Sequence, residues 1–328
     1  MINYIKRNKD YLILITLLLI GTLIMFFPFW IKGDYFIGGG DVKTQWYEFY
    51  TLIRREIIKG IKNKSFPFYS WSMFLGGDIW SSKASYGMFD IFNIIFYPIN
   101  INYFVIYEIQ ILLKIIVAGI SCYILLNYIY GKSKGTLLCS LCYGLSSFAV
   151  YFVSQPGFLS FYALLPLYLY GIETYIKDNK KCYFIISVFL LLVTNYYLFF
   201  SISLFSPFYF AYRYINNKHS FKGFVLSAFK LVLLYLIGFL ISGCVIIPTF
   251  LYIIQNERVG NFNGSLVFKD IILYLHLIVN GLVPSQTYIY ESNVFDFRTD
   301  LAHQCQSDLV IACLFDWIEC RTVVVQAD

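Results

Sequence analysis

Residues 11–31 read YLILITLLLIGTLIMFFPFWI, without one charged side chain. A bilayer crossing takes about 20 apolar residues in a helix, and a helix that is apolar on all faces has no side to give to water. Lys6, Arg7 and Lys9 precede the run, and Phe26-Phe27-Pro28-Phe29-Trp30 closes it. Aromatic residues gather where a span meets the headgroups, and Lys and Arg gather on the cytoplasmic side. A cleavable signal would have a shorter apolar core and a small-residue cleavage site. Residues 1–31 therefore read as a cytoplasmic N-terminus followed by an uncleaved first transmembrane helix.

The rest of the chain repeats this character. Of 328 residues, 59% are hydrophobic, 21% aromatic and 13% charged, where a soluble domain carries about 25% charged residues. The apolar runs are continuous, so the alternating pattern of a transmembrane β-barrel is excluded. The net charge of +6 is spread too thinly for a nucleic-acid binder, and the eight cysteines show no disulfide framework. An all-α polytopic membrane protein remains.

Within 103–255, further apolar runs cover 103–130, 136–153, 158–176, 183–214 and 224–254. The connections at Gly131-Lys132-Ser133-Lys134, at 177–181 and at 213–222 are basic, whereas Ser154-Gln155-Pro156-Gly157 has no charge. If the basic connections are cytoplasmic, the run 183–214 must leave and return. It then forms two short helices with a turn near Asn195-Tyr196-Tyr197. About seven spans result, with 32–102 and everything after Asn256 outside. A single long tilted helix over 183–214 would invert the last span. Lys114, Glu108 and Lys230 lie inside or near spans, where ionisable groups are costly and often functional; the plainer reading is side chains reaching for the interface.

The loop 32–102 is too long for a mere connection. Trp46, Phe49, Tyr50, Ile53, Ile57 and Ile61 are spaced for one face of an amphipathic helix. Gly39-Gly40-Asp41 and Gly76-Gly77-Asp78 bracket that helix. A carboxylate on a tight glycine loop can serve as a general base or hold a cation, while the plain reading of Asp41 is a helix N-cap. Asp90 reads as a further outward carboxylate on a solvated loop. Cys139 and Cys142 form a C-x-x-C inside an apolar run, where small residues packing between helices are the default. His219, His276 and His303 are isolated.

Taken with the topology, several short motifs resemble the bacterial YfhO-like membrane protein family. They are Gly39-Gly40-Asp41 with Gln45, Pro67-Phe68-Tyr69-Ser70-Trp71 leading to Gly76-Gly77-Asp78, Thr194 to Phe200, and Pro248 followed by Glu257-Arg258. The similarity spans roughly 5–295. It implies a GT-C-type glycosyltransferase core using a polyprenyl-phosphate-linked sugar outside the cytoplasmic membrane. The acceptor would be a cell-surface glycopolymer such as teichoic acid. By position, Asp41 would be the catalytic base. Arg258 would receive the lipid phosphate, and Gln45, Trp71, Asp78, Asn195, Tyr196 and Tyr197 would face the substrate. The loop 154–157 lacks the second carboxylate of many GT-C enzymes, so a divalent metal is left without an identifiable site, and no other cofactor is implied. A non-catalytic flippase for lipid-linked sugars, or a membrane assembly scaffold, is the rival reading.

Beyond the outer segment 256–298, the tail 299–328 contains no Tyr, Lys or Asn. This change of style suggests a truncated or frameshifted end.

Overall fold

The computed structural model describes residues 9–33, 45–65, 68–73, 76–99, 101–216 and 221–255, without the side chains of Ser85 and Phe221. The segments 256–298 and 299–328 lie outside the described residues. So do Asp41 and Arg258.

The first apolar run forms α1, Lys9–Ile31. Only a narrow stripe of it is buried: Leu14, Leu18, Thr22 and Phe26, spaced four apart. The segment between α1 and residue 102 holds α2, Tyr47–Lys62, then two-residue strands β1, Tyr69–Ser70, and β2, Gly77–Asp78, paired antiparallel. Two short helices follow, α3 Ile79–Lys83 and α4 Ile91–Phe96. The ribbon was not foreseen in an all-α reading. It turns through Gly76 at φ +100, where a Cβ would also strike the Tyr69 hydroxyl, so only glycine fits.

The remaining helices are α5 Tyr103–Tyr130, α6 Lys134–Gly144, α7 Ser147–Tyr151, α8 Pro156–Asp178, α9 Cys182–Thr194, α10 Tyr196–Asn216, α11 Phe221–Ile241 and α12 Gly243–Ile254. Their ends are chemically marked. Asn102 caps α5 through the Phe104 amide at 3.0 Å, and Ser133 and Thr136 form a capping box on α6. Asn195 interrupts the run 183–214 and accepts from the Leu198 amide at 3.0 Å, so it starts α10. The run read as one span over 224–254 is interrupted too. Its break is Ser242, whose hydroxyl donates to the Gly238 carbonyl at 2.9 Å.

Side-chain contacts give the direction of each helix. At one end, Tyr11 meets Tyr123, Tyr128 meets Tyr170 and Tyr170 meets Tyr183. Glu173 pairs with Arg213 there, and the Tyr175 hydroxyl donates to the Ser227 carbonyl. The basic connections all belong to this end. At the other end, Lys114 reaches Pro156, Asn195 approaches Gly157, and Trp80 reaches Cys244. The chain therefore reverses at Asn195, α9 running against α8 and α10 running with it.

Four stretches are long and apolar enough to cross a membrane: Lys9–Ile31, Tyr103–Tyr130, Lys134–Ser154 and Lys222–Ile241. Cys182–Thr194 and Gly243–Ile254 are apolar but shorter. Helices α8 and α10 are long, yet Tyr, Ser, Gly and Pro replace many aliphatic residues in them. Small residues set the closest approach. A Cβ at Gly119 would lie 2.5 Å from Leu18 Cδ1 and 3.3 Å from the Ser140 carbonyl, and one at Gly144 would lie 3.3 Å from the Ile115 carbonyl. Helices α1, α5 and α6 meet at that point, as expected of close packing through small side chains. The C-x-x-C pair lies elsewhere on α6, with Cys142 exposed.

Candidate functional site

At the end opposite the basic connections, the loop elements and the helix turns meet. Trp46, directly before α2, donates from Nε1 to Gln155 Oε1 at 3.2 Å. A Cβ at Gly157 would lie 3.3 Å from the Trp46 ring and 3.6 Å from Asn195 Nδ2. The α7–α8 turn, the α9–α10 turn and the start of α2 are thus in contact. Gln45 belongs to the same place, accepting from the Tyr86 hydroxyl at 3.4 Å. Tyr86 meets Trp46 at 5.6 Å and Phe49 at 4.2 Å between ring centroids. Lys83, at the end of α3, lies over the Phe49 ring at 3.5 Å and the Tyr86 ring at 5.0 Å. Burial draws its ammonium below the ordinary lysine range.

A second feature lies one helical turn away. Phe68, Tyr69, Asp78, Trp80, Ser81, Cys244 and Pro248 line an open cleft of about 570 Å³, within the size range of small-molecule sites. Asp78 is also the N-cap of α3, accepting from the Ser81 amide at 3.2 Å. Pro248 has no N–H to give the carbonyl four residues back. That carbonyl belongs to Cys244, and the Trp80 indole donates to it at 2.9 Å. Two regions singled out in the sequence, Gly76-Gly77-Asp78 and Pro248, therefore form one wall-to-wall cleft. Trp71 stands beside it, 78% exposed and edge-on to Tyr69 at 5.2 Å. Asn195 is committed to capping α10 through Oδ1, Tyr196 is half-buried and Tyr197 is exposed.

Beneath this surface is a charged cluster that the sequence reading misplaced. Asp90 and Lys114 are not at an interface; they are 1% and 0% exposed. Lys114 Nζ stands 3.9 Å from Asp90 Oδ2 and donates to the Pro156 carbonyl at 3.0 Å. Ser160 donates to Asp90 Oδ2 at 2.5 Å, and Asp90 Oδ1 caps α4 through the Phe92 amide at 3.0 Å. Burial pushes the Asp90 carboxyl above the ordinary carboxylate range, against the opposing pull of Lys114, Ser160 and the Phe92 amide. One turn before Lys114, Gln110 donates to the Phe92 carbonyl and to Asn93 Oδ1, both at 3.1 Å. The signal was present as Gln110 and Lys114 four apart on a mostly apolar helix, which places both on one face. Lys230, by contrast, is exposed, and Glu108 is half-buried.

The amphipathic face of α2 needs a smaller correction. Tyr50 and Ile53 are buried, but Ile61 is 71% exposed and Glu56 is buried, held by Arg55 and Lys59. Arg54 donates to the carbonyls of Tyr97 and Ile99 and anchors α2 to the segment between α4 and α5. At the basic end, Glu173 is fully buried and accepts from the Arg213 guanidinium in a two-pronged pair, with Tyr209 donating at 2.8 Å. Among the described residues, no group of three or more His, Cys, Asp or Glu is arranged to hold a metal ion.

A family model described as bacterial membrane protein YfhO matches residues 12–293. No curated protein and no solved structure matches the chain.

Proposed function

The chain belongs to the YfhO family of bacterial membrane proteins, and from that premise we propose that it is a membrane glycosyltransferase with a GT-C-like core. It moves a sugar from a polyprenyl-phosphate carrier to a cell-surface glycopolymer such as teichoic acid. Seven spans carry the chain across the membrane, with the N-terminus and the basic connections in the cytoplasm.

The observation that carries this reading is the meeting of Gln45 and Trp46 with Gln155, Gly157 and Asn195. It brings Gln45, four residues after Asp41 in the sequence, to the turns between helices, at the end away from the basic connections. In this reading Asp41 takes a proton from the acceptor hydroxyl as that oxygen attacks the anomeric carbon. The polyprenyl phosphate leaves in the same displacement, and no covalent glycosyl-enzyme is needed. The cleft at Asp78, with Tyr69, Trp71 and Trp80 around it, supplies a hydrogen-bond acceptor and aromatic faces for the sugar. Asn195, Tyr196 and Tyr197 line the neighbouring turn, and Arg258 engages the lipid phosphate.

The test uses the full chain in proteoliposomes with a panel of polyprenyl-phosphate sugars and a teichoic acid acceptor. Asp41→Asn should lower transfer about 10²–10⁴-fold, the range for loss of a general base, with membrane insertion unchanged. Undiminished transfer by the variant would remove Asp41 from this role.

A flippase or scaffold is the second reading, and it needs charged residues lining a pathway within the spans. Asp90–Lys114 and Glu173–Arg213 are, however, sealed by their own partners. Movement of the lipid across the bilayer without cleavage of the sugar bond would select that reading.

A further inference from the structure

Lys83 is 7% exposed. Among the described residues, no carboxylate lies within ion-pair distance of its ammonium, which rests on the faces of Phe49 and Tyr86. An ammonium has three donors and no acceptor, and burying one without a counter-ion is costly. An apolar side chain would fill the same space without that cost. The aromatic faces offset part of it through cation–π contact, but among the described residues no anion compensates the positive charge. Its surroundings are those of the site. Tyr86 bonds Gln45 and packs on Trp46. Through the five residues of α3, Lys83 lies only about 6 Å along the axis from Ile79, and Asp78 and Trp80 at the start of that helix line the cleft.

We propose that Lys83 contributes a cation, further to Arg258, for phosphate binding, at a site formed with Phe49, Tyr86 and Gln45. Its ligand is a phosphate monoester or diester, carried by a lipid headgroup or free. Phosphate is a strong acceptor for a lysine point charge, and the aromatic walls exclude water that would screen the attraction. A bound phosphate there leaves a sugar one helical turn away, beside Asp78. The site rests on the glycosyltransferase reading for its lipid ligand, but not for its preference for phosphate.

The experiment uses the full chain in nanodiscs of phosphatidylcholine. Acetylation of Lys83 by acetic anhydride is followed by mass spectrometry with polyprenyl monophosphate, uncharged polyprenol or inorganic phosphate added. The expected result is slower Lys83 acetylation with polyprenyl monophosphate and no change with polyprenol. Protection by inorganic phosphate as well assigns the site to the phosphate group alone, whereas protection by the lipid only assigns it to a headgroup. Unchanged acetylation with both phosphates overturns the proposal. In parallel, Lys83→Gln should weaken polyprenyl monophosphate binding about tenfold or more, as for loss of a bond to a charged group. Lys83→Arg should keep most of the affinity. A folded Lys83→Gln protein with undiminished affinity also overturns it, and acetylation of the unaltered chain decides the question should that variant not fold. Protection of Lys83 in a chain that transfers no sugar leaves this site standing and removes the glycosyltransferase reading. Sugar transfer with an indifferent Lys83 does the reverse.

Discussion

Lys114 shows what one buried charge does in this protein. It lies in the interior of the 28-residue helix α5, fully buried, and its ammonium bonds the first carbonyl of α8 while facing Asp90 from the outer loop. Three separate pieces of chain are therefore tied through one side chain. Removing one member of such a pair leaves an uncompensated charge, at a cost of about 3–5 kcal/mol. Lys114→Met should lower thermal stability in detergent by that order, read from the melting of intrinsic fluorescence. Adding Asp90→Leu should recover most of the loss, because an apolar replacement of both partners is often neutral. A double variant no more stable than Lys114→Met would show that the carbonyl bond to Pro156, and not the charge pair, is what matters. The residue types were legible in the sequence, but burial was not. A lysine in an apolar run is as compatible with an interface as with a core, and only the contacts with Asp90 and Pro156 separate the two.

At the scale of elements, proline determines where helices dock. A proline leaves the carbonyl four residues earlier without its helical donor. Pro166 frees the Tyr162 carbonyl, which accepts from the Tyr143 hydroxyl at 2.9 Å, while Tyr162 donates back to the Tyr143 carbonyl at 2.8 Å. Their rings stack at 4.2 Å, joining α6 to α8. Pro248 does the same for the Cys244 carbonyl and Trp80, joining α12 to the outer loop. Trp80→Phe should cost about 1 kcal/mol, the net worth of an ordinary hydrogen bond, measured as a shift of the unfolding midpoint. Combining it with Pro248→Ala should return part of that loss, since the new amide can take the Cys244 carbonyl. Equal destabilisation with and without Pro248→Ala would refute the link. The prolines are plain in the sequence; the donor each one meets comes from an element 19 or more residues away, which no local pattern contains.

At the scale of the whole molecule, the contacts sort the helix ends into two groups. The basic connections collect at one end, and the outer loop with the 154–157 and 195 turns collects at the other. If the basic end is cytoplasmic, a cysteine at Ser72 should react with an impermeant maleimide in intact cells. One at Lys132 or Lys180 should react only after permeabilisation. The eight native cysteines are replaced first. Labelling of Lys180 from outside would invert the topology proposed above.

The sequence by itself determined that this chain is helical and lives in a membrane, and it showed the helix breaks at Gly131 and Asn195. Those are properties of composition and local order: each apolar side chain contributes its own transfer free energy, and each cap bonds within its own turn. Tertiary structure alone decided that Asp90 and Lys114 are buried against Ser160 and Pro156, that Pro248 and Trp80 line one cleft with Asp78, and that Lys83 rests on Phe49 beside Gln45. Those pairings depend on how far each helix is rotated and shifted against its neighbours. Both are set by side chains distant in sequence that must fill the same space.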